Sequence, residues 1–323
     1  MRKLGLFVGL LLAVVGAGAL YFGPTALGQA TIEEETPFLI PAGSSLSAVA
    51  RDLESAGHIS SADGFLLSAR LFGSSDPIQA GEFSLTPGMS QADILTAFQS
   101  GDVIRRFVTI PEGMPSVLVW ERLMAEELLS GEVDIPVEGS ILPDTYAFER
   151  GQSRASLIEQ MQSAMDLYLA EAWAQRGDNI AVATIREALI LASVVEKETG
   201  TPSERGTVAG LYSNRIKVGM MLQADPTIIY PITKGKPLGR RIRQSEIAAV
   251  NGYNTYTKVG LPVGPITNPG RESIAAVLNP EDHNYLFMVA DGTGGHEFNE
   301  TGEAHNAAVQ RWYAIRRERG EMD

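Results

Sequence analysis

The sequence predicts an α+β protein: an N-terminal transmembrane helix, a small β-α-α-β module, then a larger mixed α+β domain. Three features of its 323 residues point there. Leu4 to Phe22 is an uncharged run behind Arg2 and Lys3. A plan of short apolar run, Pro-containing turn and helical pattern recurs three times between Phe38 and Leu123. Thr184 to Gly200 has a helical pattern that is apolar nearly all round, and such a helix is buried by other elements.

The N-terminal run matches the roughly 20 residues a membrane-spanning helix needs. Its positive flank stays cytoplasmic, so the chain after it is exported. Residues 1–3 are expected in the cytoplasm, 4–22 as the anchor and 23–36 as a polar linker. A cleaved signal peptide is the rival, with small residues at Ala17, Ala19 and Ala26.

Hydrophobic content of 44% and charged content of 20% are those of a folded protein. A net charge of −13 without a basic patch argues against nucleic acid as a partner. With no cysteine, disulfides and thiolate chemistry are excluded.

The three repeats are Phe38–Leu53, Phe83–Phe98 and Phe107–Leu123. Each reads as strand, turn and helix, with caps expected at Ser44 or Ser45, Ser90 and Ser116. With a helix at Ser61–Phe72, the first two form a module over 37–105, and the third opens a domain over 106–323. Glu138 to Gly151 reads as a loop presenting Asp144 and Tyr146. Ser153 to Arg176 carries Leu157, Met161, Met165 and Leu169 on one helical stripe.

In the central helix Thr184 and Glu187 form a capping box, and Gly200 suits a left-handed end. Ser193 is the only polar side chain from Ala188 to Val195. Glu196 follows Ile185, Leu189 and Ala192 on one face. An apolar stripe and the negative helix end both favour the neutral carboxylic acid, the form a general acid requires. The bland reading is a helix-end residue that reaches water or pairs with an arginine.

Further on, Ser203–Val218 reads as a helix and Thr227–Tyr230 as strand-like, just after Gln223 and Asp225. Asn251 to Gly270 holds Pro262, Pro265 and Pro269, so it reads as a long loop. Its Tyr253, Asn254 and Tyr256 suit a sugar, with rings against C–H faces and amides against hydroxyls. Arg271–Leu278 reads as a helix, Tyr285–Ala290 as a buried strand, Asp291–Gly295 as a turn and Glu303–Arg319 as a last helix.

No metal site is expected: His283, His296 and His305 are close in sequence, but HEFNE at 296–300 is not His-Glu-x-x-His. Gly292–Gly295 lacks the phosphate-loop Lys-Ser/Thr, and there is no Gly-x-Ser-x-Gly. Among carboxylates, Glu196, Glu198, Glu138, Asp144 and Asp225 stand out, and the sequence does not say which approaches Glu196.

SVVEKET (193–199), LQADPTIIY (222–230), YNTYTKVGLPVGPITNPG (253–270), LNPEDHNYLFMVADGTGGHEFNET (278–301), AHNAAVQ (304–310) and EGSILPDTY (138–146) closely resemble the YceG-like (MltG) endolytic murein transglycosylases. The likeness runs from Phe107 to Arg319. The 37–105 module is similar to a LysM module, a βααβ unit that binds N-acetyl sugars; a plain spacer is the other reading. The resemblance implies a lyase that cuts the β-1,4 bond between N-acetylmuramic acid and N-acetylglucosamine in nascent strands and closes the C6 hydroxyl on C1. It implies Glu196 as acid/base, with the substrate's acetamido group bearing the charge, so that a second carboxylate is optional. Gln223, Asp225, Tyr253, Asn254, Tyr256, Asn268 and His296 carry over as substrate-binding candidates. Glu138, Asp144 and Glu198 carry over as supports. No cofactor is implied. The implied partners are peptidoglycan strands and the synthases that make them, and the implied place is the inner membrane with the catalytic domain in the periplasm. The rivals are a muramidase that uses water, with Asp144 or Asp225 as base, and a glycan-binding scaffold without catalysis.

Overall fold

The computed structural model describes residues 30–321 except Ser75. The expected anchor at 4–22, the residues before it and the first half of the linker, 23–29, lie outside the described residues. Among those described, no helix is long and apolar enough to cross a membrane. The chain divides into two compact units. One runs to Arg106 and includes Ala147–Arg150; the other holds Phe107–Tyr146 and the chain from Gly151 onward.

The first unit runs β1 (Thr36–Ile40), α1 (Leu46–Ser55), α2 (Ala62–Phe72), β2 (Gly81–Leu85) and α3 (Gln91–Ser100). β1 and β2 pair antiparallel with Phe38 opposite Phe83. Phe38 and Ile40 are buried on one side of β1, the period of two that a half-covered strand demands. Phe98 of α3 stacks on Phe38 at 5.7 Å between ring centroids and tilts against Phe83 at 4.9 Å. Ser45, Ser61 and Ser90 each accept a backbone N–H at the start of their helix. At Ser90 the box is closed, because the Asp93 carboxylate takes the Ser90 N–H at 2.8 Å.

β3 (Arg106–Thr109) and β4 (Thr145–Phe148) form a second two-stranded ribbon. The second unit continues through α4 (Ser116–Ala125), α5 (Arg154–Ala174), α6 (Ile185–Glu198), a 3₁₀ turn (Pro202–Glu204), α7 (Arg205–Lys217), α8 (Pro226–Thr233), α9 (Gln244–Ile247), α10 (Arg271–Leu278), a hairpin of β5 (Phe287–Ala290) and β6 (His296–Asn299), and α11 (Gly302–Glu318). α6 packs against α5, α7, α8 and α10. Its Leu191, Ala192, Val194 and Val195 join Val208, Leu211 and Tyr212 of α7 and Ile274, Val277 and Leu278 of α10 in one core. Each fully buried aliphatic side chain there contributes on the order of 1.5–3 kcal/mol. Leu157, Met161, Met165 and Leu169 of α5 are all buried, as the stripe requires.

Four local expectations are corrected. Thr227–Tyr230 is helix, not strand: Pro226 sits in the first turn, where no N–H is needed, and an apolar run of four cannot separate the two periods. Gly200 does not take a left-handed conformation. The Thr199 hydroxyl ends α6 instead, donating to the Thr201 carbonyl and accepting the Thr201 N–H, both at 3.1 Å. The N-cap of α4 is Pro115, not Ser116. The strand expected at Tyr285–Ala290 shortens to β5 and is only half-buried.

Candidate active site

Glu196 lies in the last turn of α6. The stripe leading to it is not uniformly buried: Ala192 is enclosed, Leu189 is half-buried and Ile185 is exposed. That stripe therefore runs along the helix edge, where loops meet it. Leu189 Cδ2 stands 3.4 Å from where a Cβ on Gly139 would be. Glu196 is half-buried, and its setting is more polar than the stripe suggests. Its Oε2 accepts the Gly270 N–H at 3.0 Å and the Ser273 hydroxyl at 2.6 Å. Gly270 caps α10, so this oxygen sits at the positive end of a second helix. Oε1 accepts no hydrogen bond among the described residues and faces the Pro111–Met114 turn, 3.7 Å from where a Cβ on Gly113 would be. Lys197 is exposed and donates to the Gly113 carbonyl at 3.4 Å.

Asn268 holds this corner together. It is fully buried. Its Nδ2 donates to the Met114 carbonyl at 2.9 Å and to Ser116 Oγ at 3.1 Å, and its Oδ1 accepts the Ile141 N–H at 3.0 Å. The Gly113 N–H donates back to the Asn268 carbonyl at 3.0 Å. Both ends of the amide are used inside the protein, so Asn268 ties three loops rather than reaching a ligand.

Glu138 explains the start of α4. Pro115 has no side chain to cap with, and Glu138 Oε1 accepts the Ser116 N–H at 2.9 Å in its place. Burial raises the Glu138 carboxyl above its usual range, and its bonds with Ser116, Tyr230 and Gly139 oppose that rise. Tyr230 is buried and packs on half-buried Tyr253 at 4.8 Å between centroids.

Glu198 heads a separate cluster. Burial, then the charge of Asp225, pushes its carboxyl up to about 7, while Tyr212 and Arg215 pull it down. Although the residue is only half-buried as a whole, its Oε1 is enclosed and has no hydrogen-bond partner. Asp225 is exposed and accepts the Tyr256 hydroxyl at 2.6 Å. Gln223 is exposed with a left-handed φ of 52°, and its N–H donates to the Thr255 carbonyl at 3.2 Å. Asn254 is fully buried: Nδ2 donates to the carbonyls of Glu246, Ile247 and Ala249, and Oδ1 accepts the Tyr256 N–H. Like Asn268, it stitches its own loop.

Asp144 and His296 are engaged elsewhere. Asp144 pairs with Arg271 at 2.9 Å on the surface. His296 Nδ1 lies 2.7 Å from Glu204 Oε2, and its N–H donates to Glu204 Oε1 at 2.8 Å. Among the described residues, no group of acidic and histidine side chains could hold a metal ion. The structure adds one carboxylate that the sequence did not single out. Burial, then the charge of Glu196, raises the Glu112 carboxyl above its usual range, and Arg205, with which it pairs at 3.5 Å, opposes that rise.

The model of the YceG-like family matches residues 38–311. The chain belongs to the YceG-like family. Among YceG-like proteins, the endolytic murein transglycosylase of Bacillus subtilis (strain 168) is 26% identical over 341 residues, covering 94% of this chain and 92% of that protein. The endolytic murein transglycosylase of Streptococcus pneumoniae serotype 2 is 30% identical over 305 residues, but they make up 79% of this chain and 54% of that protein. The crystal structure of a yceG-like protein from Listeria monocytogenes superposes with a TM-score of 0.52 at 27% identity, covering 85% of this chain and 99% of that one. The mixed α+β architecture is thus a YceG-like fold.

Proposed function

We propose that this protein is an endolytic murein lytic transglycosylase with Glu196 as its general acid and base. One observation carries the reading. Of the two Glu196 oxygens, Oε2 is held by Gly270 and Ser273, while Oε1 accepts no hydrogen bond among the described residues. A carboxyl fixed through one oxygen presents the other to a substrate without losing orientation. The relatives' names give the substrate class, murein.

In this reading the Glu196 proton passes to the glycosidic oxygen as the bond from muramoyl C1 breaks. The carboxylate then takes the proton of the C6 hydroxyl, whose oxygen closes on C1. The cut strand ends in a 1,6-anhydro sugar and no water is consumed. The residues at 4–22 anchor the enzyme in the inner membrane, facing the periplasm near the synthases. The β1-α1-α2-β2 unit serves as a LysM-like glycan-binding module.

Mass analysis of products from uncrosslinked strands tests this. The expected new end is lighter by one water than a reducing end, and Glu196→Gln abolishes cleavage while strands still bind. Reducing ends, or cleavage surviving in Glu196→Gln, refute it.

A further inference from the structure

Glu112 has no part in the reaction as stated, yet the fold delivers it to the acid. It comes from the turn after β3. A Cβ on Gly270 would lie 2.0 Å from Glu112 Oε1 and 2.2 Å from its Cδ. The same Gly270 donates its N–H to Glu196 Oε2 at 3.0 Å. On the other side of the pair, the next residue along from Glu112 is Gly113, where a Cβ would stand 3.4 Å from Glu196 Cγ. Gly270 therefore lets Glu112 approach the residue that holds Glu196, and a side chain at position 270 would push Glu112 away. Glu112 is also anchored and reachable. Its Oε2 faces Arg205 Nη2 at 3.5 Å, and its side chain is 43% exposed. Arg205 is only 15% exposed, and its Nε is buried with no hydrogen-bond partner among the described residues.

Cleavage of a muramoyl bond builds positive charge at C1, next to the 2-acetamido group. Where that group assists, its carbonyl oxygen bonds to C1 and its nitrogen becomes cationic. A carboxylate that accepts the acetamido N–H orients the group and offsets the charge. Of the carboxylates located above, only Glu112 combines contact with the residue that holds Glu196, exposure and an arginine anchor.

We propose that Glu112 is a second catalytic residue, accepting the acetamido N–H of the sugar whose C1 is attacked. The proposal rests on the lytic reading of Glu196. In the first step the C1–O bond breaks, its electron pair and the Glu196 proton go to the leaving oxygen, and the acetamido oxygen bonds to C1. In the second step O6 bonds to C1, its proton goes to Glu196, and the bond between C1 and the acetamido oxygen breaks, its electron pair restoring the neutral amide. Glu112 transfers no proton in either step.

The test uses the full-length protein in detergent with uncrosslinked strands, and a sugar thiazoline that mimics the bicyclic cation. Glu112→Gln is expected to lower kcat about 100-fold, change KM less than threefold and weaken thiazoline binding at least 10-fold, with Tm unchanged. Gly270→Ala moves both numbers the same way, because its methyl displaces the carboxylate. If Glu112→Gln keeps kcat within threefold of wild type, or binds thiazoline as tightly, the proposal is overturned. The wild-type product is judged separately: reducing ends sink the lytic reading, and the thiazoline comparison still decides Glu112.

Discussion

Replacing Asn268 by alanine should unfasten the active-site corner. The side chain makes three internal hydrogen bonds, at 2.9, 3.1 and 3.0 Å, in a fully buried setting. Alanine strands the Ile141 N–H, whose residue is itself fully buried. A buried orphan donor costs about 1–3 kcal/mol, and each of the other lost bonds about 1 kcal/mol. The sum is about 3–5 kcal/mol. For a unit of roughly 200 residues, each kcal/mol moves Tm by about 2–4 °C, so the larger unit should melt about 10 °C lower. Calorimetry on the full chain reads this directly. The second consequence is kinetic. Asn268 holds the 113–116 segment beside Glu196, so kcat measured well below Tm should fall at least 10-fold. A Tm drop under 2 °C refutes the role assigned to Asn268. A large drop with normal kcat per folded molecule shows that the three loops do not set the catalytic geometry.

Two more outcomes follow from the same contacts. Ser273→Ala removes the 2.6 Å bond to Glu196; a hydrogen bond to a charged group is worth about 1.5–3 kcal/mol, so kcat/KM, measured well below Tm, should fall about 10- to 100-fold, and an unchanged rate would count against Oε2 as the held oxygen. Burial and Asp225 raise Glu198 to about 7, above the usual value of about 4.3 for an exposed glutamate. The folded state then keeps a proton that the unfolded state has lost, so wild-type stability declines as pH rises from about 4.3 to 7. Glu198→Gln should therefore gain up to about 3 kcal/mol relative to wild type at pH 8 and little at pH 4, read as urea midpoints; an equal gap at both values refutes it.

What could be read from the sequence was local. Ser45, Ser61, Ser90 and Thr184 cap their helices because a cap needs only a hydroxyl and the next turn's N–H groups. Ser116 broke the rule because its cap comes from Glu138, a partner that only the fold supplies. Asn254 was read as a sugar ligand because it is an amide between tyrosines in a proline-rich loop, and Asn268 because the family resemblance carried it over. Such a loop has no ladder for its own backbone groups, and those groups must still be paired. The amides are used up doing so. Glu196 was singled out by its motif, and the structure sets its carboxylate against Gly270 and Ser273. Glu112 was not: nothing in Pro-Glu-Gly shows that the turn will be packed against Gly270.

Ser193 shows how the site is kept in register. It was the lone polar residue in an apolar run, and its Oγ donates to the Ile190 carbonyl at 2.7 Å and accepts the Ile266 N–H at 3.0 Å. Glu196, three residues on, faces the same way on the helix. Its Oε2 takes the Gly270 N–H, four residues past Ile266, and the Ser273 hydroxyl of α10. One face of α6 thus fixes both the end of the long loop and the start of α10. The groups that hold the acid are positioned by the helix that carries it, and that helix is anchored by the largest core in the unit. In the catalytic reading proposed above, Glu196 Oε2 is thus already held by the protein's own groups, as preorganised catalysis requires.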